Sequence, residues 1–267
     1  MSAGIVHVIM TRFNLATPGR ESDIRTKPGW LSRRFELFER FCLPSVAAQT
    51  RTDFTWMIYF DEGTPTEFRE RIERLRSEVP FVPYYTGLFR SEGWPRSVRE
   101  TLPAADWLLS THFDNDDALA SDHVERLRAA AEGALRRGAL NFDRGLIRTD
   151  RRLYALTHRS NAFFSFLEPW GPEMKTCQSV GHMRIAEEGP VTQIGGGPGW
   201  LQVVHGDNVS NKVRGRLAPP EAAAGFPQAA REGLKTASAA ERAAERLAMP
   251  LRALRDRISA LRSHRMH

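Results

Sequence analysis

At 267 residues, with 41% hydrophobic and 26% charged side chains, the chain has the composition of a soluble globular protein large enough for one sizeable domain with or without an appendage. Its formal charge of +6 is unevenly placed. Nine Arg/Lys and five Asp/Glu lie from Glu221 to the end, so the body is near neutral and the tail basic, which excludes a body built as a nucleic-acid-binding face.

Two cysteines, Cys42 and Cys177, make neither a disulfide framework nor a metal-site spacing, and are expected as reduced thiols of a cytoplasmic protein. The first residues enter a strand without a basic leader, and no apolar run approaches the ~20 residues of a membrane span. Neither a signal peptide nor a spanning helix is expected.

Residues 4–10 read as a first strand that stops at Thr11-Arg12-Phe13-Asn14. Arg12 is a surface charge or, beside a nucleotide, a phosphate or base contact. Residues 16–28 form a loop longer than most connections, which is often a sign of function. Residues 30–50 are helical, with Leu31, Phe35, Phe38 and Phe41/Cys42 on one face and Pro44 kinking or restarting the helix. Arg33 and Arg34, near its start, are either solvated or turned to the ligand edge of a sheet, where an arginine suits a diphosphate.

Residues 54–60 are a second strand, followed by Asp61-Glu62-Gly63-Thr64-Pro65. Asp61 either makes that turn or accepts from a ribose hydroxyl or a base N–H. A second helix over 66–79, capped by Thr66, buries Phe68, Ile72, Leu75 and Val79. Residues 81–85 are a third strand, and 87–103 read as irregular.

The stretch from Asp106 to Leu119 organises the rest. The apolar run Trp107-Leu108-Leu109 leads through His112 into Asp114-Asn115-Asp116-Asp117, a buried strand ending in clustered acids. Carboxylates this close repel one another and raise one another's pKa unless something positive sits among them, and a hard divalent cation is the usual answer. The alternative is a solvated turn that caps the next helix. That helix starts at Ser121 or Asp122, runs through Arg137 and buries Val124, Leu127, Ala131 and Leu135. Strand and helix alternate up to here, which implies a mainly parallel α/β sheet.

Beyond Gly138 the pattern predicts two strands around a polar turn, then an aromatic segment, 161–170, that carries Glu168. The glycines of 195–199 are no dinucleotide fingerprint, since no helix follows at the right spacing. A last strand, 200–205, stops at His205-Gly206-Asp207-Asn208. Residues 219–267 are rich in Ala and Arg, with Leu247, Leu251, Leu254, Ile258 and Leu261 on one helical stripe. That helix packs on the body, pairs with another copy, or lies on an anionic membrane surface, and much of 222–240 is expected to be mobile.

HVIMTRFN, FCLPSVAAQT, FTWMIYFDEGTP, FDNDDAL and WLQVVHGDN occur in this order. Their combination resembles the putative rhamnosyltransferase family, a bacterial group similar to glycosyltransferases of the GT-A fold. The resemblance covers residues 5–216 and leaves out the tail. It implies a GT-A-like (Rossmann-like), mainly parallel sheet flanked by helices over 1–218, with a nucleotide-binding half (1–120) and an acceptor half (121–218). A basic helical tail, 219–267, follows.

In that family pattern Asp114 and Asp116 form a DxD motif that holds Mn or Mg on a sugar-nucleotide diphosphate, and His205 completes the metal shell. Thr11, Arg12, Asn14 and Asp61 would contact the nucleotide-sugar donor, with Arg33, Asn115, His182 and Asn208 completing the substrate-binding set. An inverting transfer needs a base for the acceptor hydroxyl. Glu168 is the candidate, because aromatic, partly dry surroundings raise a carboxyl pKa, and Asp117 joins it in the catalytic set. Glu173, His182 and Asp207 remain alternatives. The expected activity is transfer of a sugar such as rhamnose to a glycan or lipid-linked acceptor of a surface polysaccharide, in the cytoplasm or at the inner-membrane surface. Two other readings stay open: a non-catalytic nucleotide- or glycan-binding module, and a metal-dependent phosphoesterase.

Overall fold

The first apolar run folds as β1 (Ile5–Arg12), whose residues from His7 to Thr11 are all buried. A strand buried on both faces is what a covered parallel sheet requires. In this computed structural model the described residues are 4–15, 25, 27–87, 92–180, 182–206, 213–245 and 247. Around β1 gather β2 (Thr55–Asp61), β3 (Val82–Thr86) and β4 (Trp107–His112), all parallel. The expected α/β fold with a mainly parallel sheet is present. With β6 (Gly138–Phe142), β9 (Ser165–Pro169) and β10 (Val191–Ile194) the sheet has seven strands in the order β10-β6-β9-β4-β1-β2-β3, and of these only β9 runs against its neighbours.

Helices cover both faces. On one, α1 (Trp30–Leu37) passes through a π-helical turn (Phe38–Cys42) into α2 (Leu43–Ala47). Pro44 has no N–H to give the carbonyl four residues back, and the ladder widens there, Leu43 N–H reaching Phe38 O. This face also holds α3 (Thr66–Glu78) and packs Phe13, Phe35, Phe38, Trp56 and Phe60 together. Val8, Met10, Met57 and Tyr59, alternate residues of the same strands, meet α4 (Gly93–Thr101) on the other face.

Several expectations change. Residues 93–101, read as irregular, are the amphipathic α4 with Trp94 and Val98 buried. The helix over 66–78 is capped by Pro65, with no side-chain bond from Thr66. The helix after the acidic stretch, α5 (His123–Ala134), stops before Leu135, which is left-handed (φ 32°) and 39% exposed.

The run after Gly138 is three strands: β6 (Gly138–Phe142), β7 (Arg144–Arg148) and β8 (Leu153–Thr157). β6, β9 and β10 (Val191–Ile194) complete the main sheet, so the two halves share it. A second sheet orders β12-β8-β7-β11-β5, from β12 (Arg216–Ala218), β11 (Trp200–Val203) and the two-residue β5 (Ala118–Leu119).

Within 219–235 three side chains pack on the body. Ala223, Phe226 and Ala230 are buried against Phe41 and Leu201, and Arg148 donates to the carbonyls of Ala230 (3.2 Å) and Glu232 (2.7 Å). Of the predicted apolar stripe only Leu247 is described, and it is exposed; Leu251, Leu254, Ile258 and Leu261 lie outside the described residues. No helix among the described residues is long and apolar enough to cross a membrane.

Gly145 pairs with Trp200, and a Cβ there would sit inside the indole ring. Gly145→Ala should cost at least about 2 kcal/mol, as overpacking does. Gly133→Ala, on the open side of α5, should be neutral or stabilising by up to about 1 kcal/mol. Thermal melts of the two variants give both signs. His7 and His123 are held neutral by burial, which lowers them to about 3 and about 4. The unfolded chain takes up those protons as pH falls below the ordinary 6.5, so stability is full above that value and declines towards pH 4. Urea unfolding at pH 7.5 and 5.5 should show the drop.

Candidate functional site

The carboxyl ends of β1, β2 and β4 lie on one edge of the main sheet, where open α/β sheets present their ligand crevice. The acidic stretch leaves β4 across the end of β1. Asn115 donates its side-chain amide to the carbonyls of Arg12 (2.8 Å) and Phe13 (2.9 Å). The chain then enters β5, which pairs antiparallel with β11 through Leu119↔Trp200 and Ala118↔Leu201. Asp116, two residues before β5, therefore meets His205, two residues after β11. Asp116 Oδ2 accepts from His205 Nε2 at 2.9 Å.

The same oxygen accepts from Arg34 Nη1 at 2.6 Å, and Arg34 also donates to Asn115 Oδ1 at 3.2 Å. The pair is nearly dry, with side chains 14% and 9% exposed. Burial alone would raise the Asp116 pKa, but the His205 hydrogen bond and the Arg34 charge outweigh it and hold the carboxyl below its usual range. The arginine that reaches the acids is thus Arg34, not Arg33. Arg33 points outward to Pro28 O (3.3 Å). A signal existed: Arg34 follows the buried Trp30 by four residues and lies over its ring at 5.2 Å.

Asp117 is 1% exposed and turned away from the edge. Its Oδ1 accepts the Val203 N–H at 2.7 Å, and its Oδ2 is buried with no partner. Burial, then the neighbouring Asp116 and Asp114 charges, push it well above the ordinary carboxylate range. It is a buried strut between the acidic stretch and β11, not a group that lines the cleft.

Asp114 stands apart, 41% exposed, with its carboxylate 3.8 Å from His112 Nε2. The other ring nitrogen of His112 bonds Ala162 O at 2.8 Å. His182 is exposed on the same side, within reach of the Asp114 charge. The expected trio of Asp114, Asp116 and His205 is therefore only two-thirds assembled. Among the described residues, no three His, Cys, Asp or Glu side chains are grouped so as to hold a metal ion.

Beside the acids opens a cleft of about 410 Å³. Asn14 and Asp61, both expected to touch the donor, line it with Trp30, Thr64 and Phe68. Asn14 Oδ1 accepts the Asp61 N–H (3.0 Å), and its amide donates to Thr64 Oγ1 (3.1 Å). Arg25, unforeseen from the sequence, donates to Asp61 Oδ2 (3.1 Å) and to Asn14 O (2.7 Å). Trp30 presents an indole N–H that is buried without a partner. Thr11 does not reach this cleft: it is an interior strand residue, fully buried, accepting from Trp56 Nε1 at 3.0 Å. Arg12 closes β1, half-buried at the same edge.

Glu168 is at the wrong end of the sheet. β9 runs antiparallel to β4 and pairs Glu168 with Leu108, four residues before the carboxyl end, or about 13 Å at strand rise. Its carboxylate accepts the N–H groups of Lys175 (3.0 Å) and Thr176 (2.8 Å). Burial does raise its pKa, as its aromatic setting suggested, yet it anchors a loop in which Thr176 is left-handed (φ 73°). Glu173 is exposed. Asp207 and Asn208 lie outside the described residues.

A protein-family model described as "Putative rhamnosyl transferase" matches residues 6–217. No curated protein matches the chain. Among solved structures the chain is similar to S. aureus TarS 1-349, at 11% identity and a TM-score of 0.45, over 74% of this chain and 60% of that one. The same TarS chain in complex with UDP gives 9% and 0.46 over the same shares. A putative nucleotide-diphospho-sugar transferase from Desulfovibrio desulfuricans G20 gives 12% and 0.36, over 77% of this chain and 83% of that one. The chain spans less than two thirds of the TarS chain's length.

Asp117→Asn keeps an oxygen for the Val203 N–H and removes a carboxyl whose ionisation the fold opposes. Since the folded pKa is raised, the acid costs stability as pH rises through and above the ordinary carboxylate range, and the amide abolishes that slope. The variant should melt at or above the wild-type temperature at pH 8, whereas Asp117→Ala should lose about 1–3 kcal/mol by stranding the Val203 donor.

Proposed function

The chain belongs to the putative rhamnosyl transferase family, whose model matches 6–217, and from that premise we propose that it is a glycosyltransferase using a nucleoside-diphosphate sugar. The observation that carries the reading is a cleft at the carboxyl edge of a parallel sheet, lined by Asn14, Asp61 and Trp30, with Arg34 of the Arg34–Asp116–His205 cluster lying over the Trp30 ring. The nucleoside lies in the cleft, where Asp61 and Asn14 offer acceptors and donors and Trp30 and Phe68 offer apolar surface. The diphosphate lies towards Arg34. Rhamnose is the sugar the family's description names, and a glycan or lipid-linked hydroxyl is the acceptor.

In such a transfer the bond from the anomeric carbon to the diphosphate oxygen breaks, with its electron pair going to the diphosphate. The acceptor oxygen forms the new bond and gives up its proton to a base. The transition state is oxocarbenium-like, and negative charge grows on the leaving group. A preorganised guanidinium facing that charge is worth more in a dry cleft than in water. The divalent metal that the DxD pattern implies would supply Lewis-acid stabilisation of the same charge. The residues here do not fit it as a three-ligand site, because Asp116 already carries the Arg34 and His205 bonds and no third His, Cys, Asp or Glu is grouped with them among the described residues.

Purified protein should release free nucleoside diphosphate from one member of a panel of UDP-, dTDP- and GDP-sugars, faster with a glycan acceptor present. Asp61→Ala should weaken binding of that nucleotide by about tenfold or more, the loss of a charge-assisted hydrogen bond. Binding without turnover under every acceptor condition would favour a binding module, and no binding to any nucleotide sugar would end the transferase reading.

A further inference from the structure

We propose that the resident cation of this site is the Arg34 guanidinium, standing where a divalent metal would otherwise face the donor's diphosphate. The inference rests on the reading that the cleft takes a nucleoside diphosphate. Arg34 sits on a regular helix, between Trp30 one turn before it, over whose ring it lies, and the π-helical turn after it. Among the described residues only its Nη1 makes hydrogen bonds, with Asp116 Oδ2 at 2.6 Å and Asn115 Oδ1 at 3.2 Å. A guanidinium has five N–H donors in a fixed fork, and those on Nε and Nη2 make no hydrogen bond among the described residues. One edge of the fork is thus fixed by the protein and the other is available, which suits bidentate contact with phosphate oxygens.

The acids on the other side match this assignment. Asp116 Oδ2 receives both Arg34 and His205, so a metal at that oxygen would have to displace a nearly dry ion pair. Asp114 is exposed, 3.8 Å from His112 Nε2, and among the described residues makes no hydrogen bond or ion pair with Arg34 or His205. The acidic stretch then serves to position an arginine. Asp116 orients the fork and Asn115 ties the same loop to the end of β1. A fixed guanidinium also keeps its charge at every working pH and needs no metal supply.

The test is calorimetric titration of the full chain with UDP, dTDP and GDP, in EDTA and again in Mn²⁺ or Mg²⁺. The expected result is that the nucleotide which binds does so with a Kd changed by less than about threefold between the two buffers. Arg34→Gln should weaken it about tenfold or more in both, and Arg34→Lys, which keeps a point charge without the fork, should fall between. A melting curve shows whether each variant folds. If Arg34→Gln does not, the metal comparison on the wild type and the Arg34→Lys titration decide. Binding that appears only with the divalent ion, or Arg34→Gln binding as wild type, would overturn the proposal while leaving the transferase reading intact. Failure of all three nucleotides in both buffers would remove the transferase reading and this inference together.

Discussion

The site depends on one buried charge, the carboxylate of Asp116, held between Arg34 and His205. These residues come from a helix early in the chain, a loop in its middle and a strand end near 205. None of the three is placed by its sequence neighbours alone. A charge taken out of water is tolerable only with its partners in place, so the ion pair ties the packing of α1, the exit of β4 and the register of β11 to one another. Shifting any of the three would leave an uncompensated ion in a dry place. Specificity of arrangement, more than stability, is what such a pair contributes.

Much of the frame was legible from residue pattern. The apolar runs of β1, β2 and β4 sit between turn-forming residues, and their burial on both faces follows from near-continuous hydrophobicity. Failures have local causes. α4 was hidden because Gly93 and Pro95 read as breakers, although proline is well tolerated in the first turn of a helix. Only Asp143 separates β6 from β7, and that single residue carries the chain from one sheet to the other, so a pattern read as two strands holds three.

The site residues were readable as types but not as orientations. Extended chain alternates its side chains, so the ends of β1 and β4 hold both cleft-facing and interior residues, and Thr11 fell on the inside. Asp116 and Asp117 are adjacent in sequence and opposite in role, one bonded to Arg34 and His205 and the other to the backbone N–H of Val203. The short pairing of β5 with β11 decides which is which, and nothing in the local sequence announces a two-residue strand. Glu168 illustrates a different gap. Its surroundings were inferred correctly, but strand direction is a property of topology, and a reversed β9 carried the carboxylate to the far end.

The segment 219–235 gives the molecule a seam that family boundaries do not mark. The family match stops at 217, whereas Ala223, Phe226 and Ala230 close over Phe41 and Leu201, and Arg148 grips the carbonyls beyond. Phe41 belongs to the π-helical turn that follows Arg34's helix, so this strap braces, from behind, the element that presents the arginine. A protein trimmed at 217 would bare an oily facet and loosen its own active-edge helix.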